Sequence, residues 1–171
     1  MEPLFLESDR VVVTKFSYME IDGERAARYL PGIEAEKDEI WRPFSEPKRG
    51  DVVVFRWPRD PRQSFVKRII GLPGERVRVR YGSVLVNGVL LDEPYVQQEL
   101  RQTLTERVVK EDSFYVLGDN RAQSDDSRHW GVVPRENLVG KVQAKYWPIE
   151  RFTVLGMAPG MQYGYVDRSK M

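Results

Sequence analysis

The 171-residue sequence contains no cysteine, a single histidine and no apolar run as long as a membrane span. The absence of cysteine excludes disulfides, thiol catalysis and thiolate metal sites. Because His129 is the one histidine, multi-histidine metal sites are excluded too, and we expect neither a metal nor a cofactor. A bilayer span needs about 18–20 consecutive apolar residues, and no signal peptide opens the chain, so we expect the chain as written to be soluble.

The charges are nearly balanced, with 27 basic and 26 acidic residues and a formal net charge of +1. Proteins that bind nucleic acid through its phosphates normally carry a basic excess. Nucleic acid is therefore not an expected partner. The length suits a single domain with a small elaboration.

Short runs of β-branched and aromatic residues between turn signals predict a series of strands. The strongest hairpin signal is Asn87-Gly88 between two apolar runs, and Gly140 suggests a bulge in the last strand. The predicted strands are 10–16, 52–55, 64–70, 76–81, 84–86, 89–91, 107–109, 114–117 and 137–147. Three further segments are candidates for short helices, the last alternatively for an irregular crossover: 24–30, 34–41 and 94–105.

The stretch 115–134 is dense in polar and turn-forming residues. An apolar run ends at Gly118, and two serines, Ser124 and Ser127, follow within a charged segment. The charges of this segment are two carboxylates and two guanidiniums: Asp119, Arg121, Asp126 and Arg128. Composition alone fits a solvated loop. Because arginine forks match carboxylates bidentately, the segment could instead satisfy its own charges and hold a serine hydroxyl in one place.

Lys67 is the most informative single residue of the predicted strand 64–70. Strand alternation places it on one face with Phe65 and Ile69. Burial between two apolar side chains would lower the pKa of the lysine, and a neutral amine can take a proton from a serine hydroxyl. The alternative from the pattern alone is a lysine that reaches solvent from an edge strand.

Three sets of residues resemble, in this order, the motifs of type I signal peptidases, the bacterial leader peptidase family of membrane-anchored Ser–Lys proteases. The N-terminal set is Met1, Pro3, Asp9 and Lys15, with Leu4 and Ser8 standing where the family has Thr and Gly. The middle set is Lys67-Arg68-Ile69-Ile70-Gly71-Leu72-Pro73-Gly74, with Arg49-Gly50-Asp51 upstream. The most specific set is Gly118-Asp119-Asn120-Arg121, Ser124, Asp126-Ser127-Arg128 and Trp130-Gly131.

The resemblance implies a mostly β fold, in which a partly open antiparallel, barrel-like catalytic domain spans residues 1–148. Within that domain, residues 19–48 would be an inserted helical or β segment, and residues 82–112 a β-hairpin and crossover elaboration. Residues 149–171 would form a loosely ordered C-terminal tail without a functional signal.

The resemblance also implies roles for individual residues. Lys67 would be the general base, and Ser124 would orient its amine. The supporting residues would be Asp119, Arg121, Asp126, Arg128 and Arg68. The residues expected to contact substrate are Pro3 and Phe65. Two aromatic residues that we expect to be exposed, for contact with lipid or substrate or else for packing at a strand end, are Phe55 and Trp57.

The nucleophilic serine of the family immediately precedes the residue that Met1 matches, and nothing precedes Met1 in this sequence. A chain truncated just after that serine, a misplaced start codon or a degenerate homologue would each account for this, and we expect the chain as given to be inactive. Ser8 is a poor substitute, because seven residues of extended chain displace it by roughly 20 Å.

The implied function is an endopeptidase that removes signal peptides from secreted preproteins. Its partners would be preprotein signal peptides and the lipid surface of the plasma membrane, with a monomeric catalytic domain on the extracytoplasmic side. One alternative is a non-catalytic pseudo-protease that binds extended peptides. Another is a Ser–Lys protease of the self-cleaving repressor type, which would need a DNA-binding helix-turn-helix that the sequence does not suggest.

Two other interpretations of the polar segment are weaker. A triad of Ser127, His129 and Asp125 or Asp126 would need residues that are close in sequence to reach a geometry that triads normally build from distant segments. A metal site of the EF-hand type at Asp125-Asp126 would need a Gly and a closing Glu at fixed positions, and the sequence lacks them.

Overall fold

The structure is a computed structural model, and it describes residues 1–2, 4–6, 8–18, 21–22, 40–41, 45–96 and 101–155. Strands dominate these residues, which confirms the prediction of a mostly β fold. Within the same ranges, the one α-helix is α1 (Ser127–Trp130), and short 3₁₀ turns occur beside the strands. None of the helices described there is long and apolar enough to cross a bilayer.

The strands pair antiparallel throughout. In chain order they are β1 (Arg10–Thr14), β2 (Ile21–Asp22), β3 (Ile40–Trp41), β4 (Val52–Trp57), β5 (Asp60–Gly71), β6 (Arg76–Arg80), β7 (Ser83–Val86), β8 (Val89–Leu90), β9 (Arg107–Val108), β10 (Ser113–Leu117), β11 (Val133–Pro134), β12 (Leu138–Trp147) and β13 (Thr153–Val154). Each predicted strand has a counterpart, although several ends differ. The largest difference is that β5 begins at Asp60, because only Pro58 and Arg59 form the turn from β4.

The main sheet has the strand order β1-β12-β4-β5-β10-β11, and β13 pairs with β12 beside this path. The β4–β5 hairpin at its centre pairs Val53 with Lys67 and Phe55 with Phe65. The strands described do not close into a barrel, so the expected partly open, antiparallel architecture is confirmed. Its chain order brings β5, from the middle of the sequence, next to β10, which leads into the polar segment.

A second sheet, with the order β8-β7-β6-β9, packs against one end of β5 and β10. Its hairpin turn lies at Asn87-Gly88, as predicted, with φ of 52° and 82°. Two successive positive φ angles suit the right-handed twist of a hairpin, and Asn and Gly adopt them at little cost. The core between the sheets is formed by Ile70, Val77, Val79, Val84, Val86, Leu91, Val109, Tyr115 and Leu117.

Phe55 is completely buried, so the expectation that it is exposed for lipid or substrate contact is wrong. Its ring lies 6.3 Å from that of Phe65 and 5.8 Å from that of Trp130. Burial of one such side chain contributes roughly 1.5–3 kcal/mol to folding. Phe55 therefore packs in the core at the end of its strand, which was the alternative interpretation. Trp57 is half-buried, and its ring packs against Phe65 in the same cluster.

β1 ends at Thr14, two residues before the predicted end, and residues 15–18 form a 3₁₀ turn. Tyr18 at the end of this turn donates a 2.8 Å hydrogen bond to Asp51, which fixes where the chain leaves the sheet. The register of β12 against β4 shifts between Leu138 and Gly140, consistent with the predicted bulge. A Cβ at Gly140 would lie 2.5 Å from the Thr14 carbonyl oxygen, so glycine permits this close approach of the strands.

The expectation of a loosely ordered tail is wrong for residues 149–155. There β13 pairs with β12, and the Leu155 amide donates to the Gln143 carbonyl at 2.7 Å. Arg151 adds a 2.9 Å ion pair with Asp9. These contacts explain the order, because they give the tail backbone partners and a charged anchor. Residues 156–171 lie outside the described part of the chain.

The helix candidates at 24–30 and 34–39 lie outside the described residues. Residues 40–41, the end of the second candidate, form β3 and pair with β2, so the helix prediction is wrong there. Tertiary pairing decides the conformation of so short a segment more strongly than propensity does. Of the segment 94–105, the described residues 94–96 and 101–105 form no helix, in agreement with the alternative of an irregular crossover.

Candidate active site

Lys67 and Ser124 meet in the interior of the protein. Lys67 lies on β5, is only 8% exposed, and its Nζ donates a 2.9 Å hydrogen bond to the Ser124 Oγ. Burial lowers the pKa of the Lys67 side chain, although the charges of Asp126 and Asp125 oppose the shift. A lysine that loses its proton more readily than usual, beside a fixed hydroxyl, is chemically suited to act as a base.

Gly118, directly after β10, allows this meeting. A Cβ at Gly118 would lie 2.1 Å from the Ser124 Oγ and 3.4 Å from the Lys67 Nζ. Real Cβ atoms do not approach other atoms so closely, so any side chain at this position would displace the serine hydroxyl. The glycine at the end of the apolar run is required by the space that the pair occupies.

The segment after Gly118 is braced by an internal ion pair. Arg128 donates to both carboxylate oxygens of Asp126, at 2.8 and 2.9 Å, and both side chains are buried. Asp126 also accepts from the Gly118 amide at 3.0 Å. Arg128 Nη2 donates in addition to the carbonyls of Arg121 and Ser124, at 2.8 and 3.3 Å. The Arg128–Asp126 ion pair thus fixes the backbone on both sides of Ser124, because it bonds to Gly118 and Arg121 before the serine and to the serine carbonyl itself.

The expectation that the segment satisfies all of its own charges is wrong for its other pair. Asp119 binds Arg68 of β5 bidentately, at 2.6 and 2.9 Å, and not Arg121. Arg121 binds both carboxylate oxygens of Glu93, which lies beyond β8. Glu93 was missed from the sequence because nothing local relates it to a residue 28 positions away. Asp119 and Arg121 lie close in sequence, but each forms its bidentate ion pair with a residue that is distant in sequence.

Ser127 and His129 do not form a triad. Ser127 is completely buried, and its Oγ accepts a 2.9 Å hydrogen bond from the Val116 amide. His129 is exposed, with its Nδ1 3.4 Å from Asp125 Oδ1. The serine therefore serves the packing of α1 on β10, and the imidazole points to solvent beside a surface carboxylate.

The N-terminal residues lie against the polar segment, close enough to Lys67 for its charge to act on the Met1 amino group. Burial and the charge of Lys67 both lower the pKa of the Met1 amino group. The Asn120 side-chain amide donates to Glu2 at 3.2 Å, linking this end of the chain to the polar segment. A cleft of about 370 Å³ opens here, lined by Met1, Glu2, Phe5, Leu6, Val66, Asn120 and Gln123.

A second buried lysine, which the sequence did not indicate, anchors the N-terminal segment. Lys145 of β12 donates to the Leu4 carbonyl at 2.7 Å and lies 3.6 Å from Asp9. Asp9 in turn caps the Leu6 amide at 2.9 Å. These contacts fix the segment that forms one wall of the cleft.

The structure describes only one of the two residues that were predicted to contact substrate. Pro3 lies outside the described residues. Phe65 is half-buried, and its ring packs edge-on against Trp57 at 5.8 Å, so the structure gives it a packing role and its contact with substrate stays a prediction. Ser8, the poor substitute nucleophile, lies in an exposed turn with φ of 73°.

The comparisons with known proteins agree with the motifs. The family model described as signal peptidase, peptidase S26, matches residues 1–147. Signal peptidase I of Leptolyngbya laminosa is 37% identical over 166 residues, covering 93% of this chain and 70% of that protein. Probable signal peptidase I-2 of Synechocystis sp. is 37% identical over 161 residues, covering 91% of this chain and 62% of that protein.

A solved structure supports the same assignment. A signal peptidase I from Enterococcus faecalis V583 has a TM-score of 0.50 to this chain at 34% identity, covering 57% of this chain and 97% of that one. The family model covers well over half of the chain, and the first relative is similar over most of its own length. The chain therefore belongs to the signal peptidase family, peptidase S26.

Proposed function

We propose that this chain is the catalytic domain of an endopeptidase that removes signal peptides from preproteins by a Ser–Lys mechanism, with a nucleophilic serine required immediately before the residue that Met1 matches. Lys67 is the general base, and Ser124 orients its amine. The observation that carries the proposal is the 2.9 Å hydrogen bond between the Lys67 Nζ and the Ser124 Oγ, in a site where burial lowers the lysine pKa. A solvated lysine would be protonated at neutral pH and could accept no proton.

The reaction follows from this pair and from the nucleophile that the family motif places immediately before Met1. The neutral Lys67 amine takes the hydroxyl proton as the serine oxygen attacks the scissile carbonyl. The tetrahedral intermediate collapses, the C–N bond breaks, and the lysine returns the proton to the leaving amine, which leaves the signal peptide as an ester of the serine. A water molecule, deprotonated by the same amine, then attacks this ester, and the ester C–O bond breaks. The serine oxygen recovers the proton and the signal peptide is released. The 3.2 Å hydrogen bond from Asn120 to Glu2 supports this location, because it holds the residues next to Met1 against the polar segment that carries Ser124.

The substrate lies in the cleft between the N-terminal segment and residues 120–123. The walls contributed by Met1, Phe5, Leu6 and Val66 are apolar. A volume of about 370 Å³ accommodates short side chains of an extended peptide. Small residues precede the cleavage site of signal peptides, so this cleft suits the peptide segment just before the scissile bond.

The test uses a version of the chain in which a serine precedes Met1. With a synthetic preprotein peptide, we expect cleavage at the junction between signal peptide and mature sequence, identified by mass spectrometry. The matched control is the same version with alanine in place of the added serine, which should be inactive. The proposed mechanism would be refuted if both versions cleaved the peptide at the same rate. It would also be refuted if the serine-bearing version did not cleave the peptide faster than background hydrolysis.

Ser124→Ala in the serine-bearing version should lower kcat by roughly 10–100-fold, which corresponds to one lost hydrogen bond to a buried polar group. The amine would keep its place on β5 but lose the partner that aims it. Steady-state kinetics measure the effect, and the melting temperature checks the fold. Ser83→Ala, a half-buried serine on the second sheet, is the control. An unchanged kcat in Ser124→Ala would remove this residue from the mechanism.

We propose further that the end of β12 and the turn after it contact the plasma membrane from its extracytoplasmic side. Four large apolar side chains are exposed there: Tyr146 (43%), Trp147 (53%), Ile149 (63%) and Phe152 (55%). Aromatic side chains with one polar edge favour the lipid–water interface. A membrane contact would bring the cleft close to preproteins that remain anchored by their signal peptides.

The double substitution Trp147→Ala/Phe152→Ala should reduce partitioning onto phospholipid vesicles by roughly 10-fold or more, because each ring forfeits apolar burial in the interface. Vesicle sedimentation measures the partitioning. Tyr81→Ala removes a still more exposed ring, at the edge of the second sheet, and serves as the control. If Tyr81→Ala reduced binding as much as the double substitution, the contact would not lie at the end of β12.

A further inference from the structure

The segment that follows β8 reaches from the second sheet into the site. There Glu93 binds the Arg121 guanidinium through both carboxylate oxygens. Tyr95 donates its hydroxyl to Glu93 at 2.7 Å, and its ring lies under the Arg68 guanidinium, 4.0 Å from ring centre to Cζ. Glu93 and Tyr95, from one short segment, therefore contact Arg121, which lies in the segment that carries Ser124, and Arg68 of the neighbouring strand β5.

Each guanidinium around Lys67 has its own carboxylate. The buried pairs are Arg68–Asp119, Arg121–Glu93 and Arg128–Asp126. Two of these carboxylates come from the segment 118–128 itself, and the third, Glu93, comes from the segment that follows β8. A buried charge without a partner is strongly destabilising. Without Glu93, the Arg121 side chain, which is 3% exposed, would have to leave its place or admit water.

Arg121 is connected to Ser124 through the backbone. Its Nε donates to the Gly118 carbonyl at 3.2 Å, at the start of the segment. Its own carbonyl accepts from Arg128, which also donates to the Ser124 carbonyl. A shift of Arg121 would therefore change both the Gly118 end and the Ser124 end, where the serine hydroxyl has no free space beside the glycine.

We propose that Glu93 and Tyr95 are positioning residues, which clamp Arg121 and Arg68 from the second sheet and thereby hold Ser124 against Lys67. The inference deepens the proposed function and rests on it for the catalytic consequence. It assigns to the segment after β8 a role that neither the motifs nor the family match give to it. The second sheet then contributes to the rate of the reaction without touching the substrate.

Three variants test the clamp. Glu93→Gln removes the charge and preserves the size of the side chain. Tyr95→Phe removes only the hydroxyl and retains the ring under Arg68, so it should fold even where Glu93→Gln does not. Glu106→Gln is the control, because Glu106 lies in an exposed, 3.7 Å pair with Arg76 on the same sheet.

The first readout is amide hydrogen exchange of the chain as it is, which requires no activity. In Glu93→Gln and Tyr95→Phe, the amides of Val116, Gly118 and Arg128, all bonded to side chains of the segment, should exchange at least about 10-fold faster. The Leu155 amide, bonded to Gln143 on the other side of the main sheet, should not change.

The second readout is the kinetics of the serine-bearing version. We expect kcat to fall by roughly 10–100-fold in Glu93→Gln, since a small misplacement of a catalytic group has effects of this size. Tyr95→Phe should show a smaller loss in the same parameter. KM should stay within about twofold of the parent value, because the cleft residues are not altered. General destabilisation would instead reduce the active fraction of the variant together with its melting temperature, whereas a misplaced Ser124 lowers kcat at an unchanged melting temperature.

The outcomes separate the inference from the proposed function. An active parent with unchanged kcat in both variants overturns the inference and leaves the proposed function intact. An inactive parent overturns the proposed function, and hydrogen exchange then decides alone whether the clamp holds Ser124. Exchange that is unchanged in both variants, or equally fast in Glu106→Gln, overturns the clamp.

Discussion

Replacing Lys67 with alanine in the serine-bearing version is expected to abolish cleavage of the signal peptide. The amine is the proposed acceptor of the serine proton, and general-base catalysis contributes up to roughly 10⁴-fold. We therefore expect kcat/KM to fall by about this factor. The fold should persist, because the substitution removes a buried polar group whose burial is costly. Cleavage assays and thermal unfolding of the same sample provide the two measurements.

Lys110→Ala, which removes an exposed lysine, is the control and should cleave at the parent rate. The pH dependence of the parent belongs to the same test. Because burial lowers the Lys67 pKa, kcat/KM should rise with pH through a value below the lysine pKa of about 10.4. Activity that survived in Lys67→Ala would refute the dyad. A lysine that titrated near its ordinary value of about 10.4 would favour a binding module for extended peptides instead.

The same lowered pKa predicts how stability depends on pH. Between the folded pKa and about 10.4, the unfolded chain keeps the lysine protonated while the folded chain does not. The unfolded state then binds more protons, so stability from this residue should increase with pH across that window.

Asp126→Asn is expected to lower the free energy of unfolding more than any other conservative substitution in the site. Asp126 is completely buried, and its partner Arg128 would be left as a buried cation without a countercharge. Removing one partner of such a pair costs about 3–5 kcal/mol, and we expect a loss near the lower end because asparagine retains part of the hydrogen bonding. Urea denaturation followed by tryptophan fluorescence measures the free energy of unfolding.

The acid dependence of stability provides a second check on Asp126. Burial alone would raise the pKa of Asp126, but the hydrogen bonds and charge of Arg128 outweigh it and the pKa is lowered. A carboxylate with a lowered pKa contributes stability that is present above the unfolded value of about 3.9 and is lost as the pH falls through the folded value. Asp126→Asn should lack this acid-dependent loss.

Asp60→Asn, at a surface ion pair with Arg62, is the control for this prediction and should leave the unfolding midpoint unchanged. An unfolding free energy for Asp126→Asn equal to that of the parent would mean that the pair does not brace the segment. In that case Ser124 would depend on other contacts for its position.

Local patterns predicted the parts of this fold that local physics controls. Asn87-Gly88 formed the expected turn because its two residues adopt positive φ at little cost. Alternation along β5 correctly placed Lys67 on the face of Phe65 and Ile69. There the lysine is buried and its amine meets Ser124 of the polar segment. The resemblance supplied the pairing of Lys67 with Ser124, which spacing alone could not have given.

Contacts between distant segments were not predictable in the same way. The sequence shows Asp119 beside Arg121 and offers no reason why they bind Arg68 and Glu93 instead. That choice depends on where β5 and the segment after β8 lie in space, which no local pattern encodes. The order of residues 149–155 was missed for the same reason, since its partners are on β12 and near the N-terminus.

The anchoring of the N-terminal segment by Lys145 has a consequence for biosynthesis. The hydrogen bond from Lys145 to the Leu4 carbonyl joins residues 141 positions apart. Contacts of such long sequence separation form late, because the chain must first lose the entropy of a large loop. During synthesis from the N-terminus, the wall of the cleft cannot be fastened until β12 has emerged. A chain that has not yet been synthesised as far as β12 therefore lacks this anchor for the wall of the cleft.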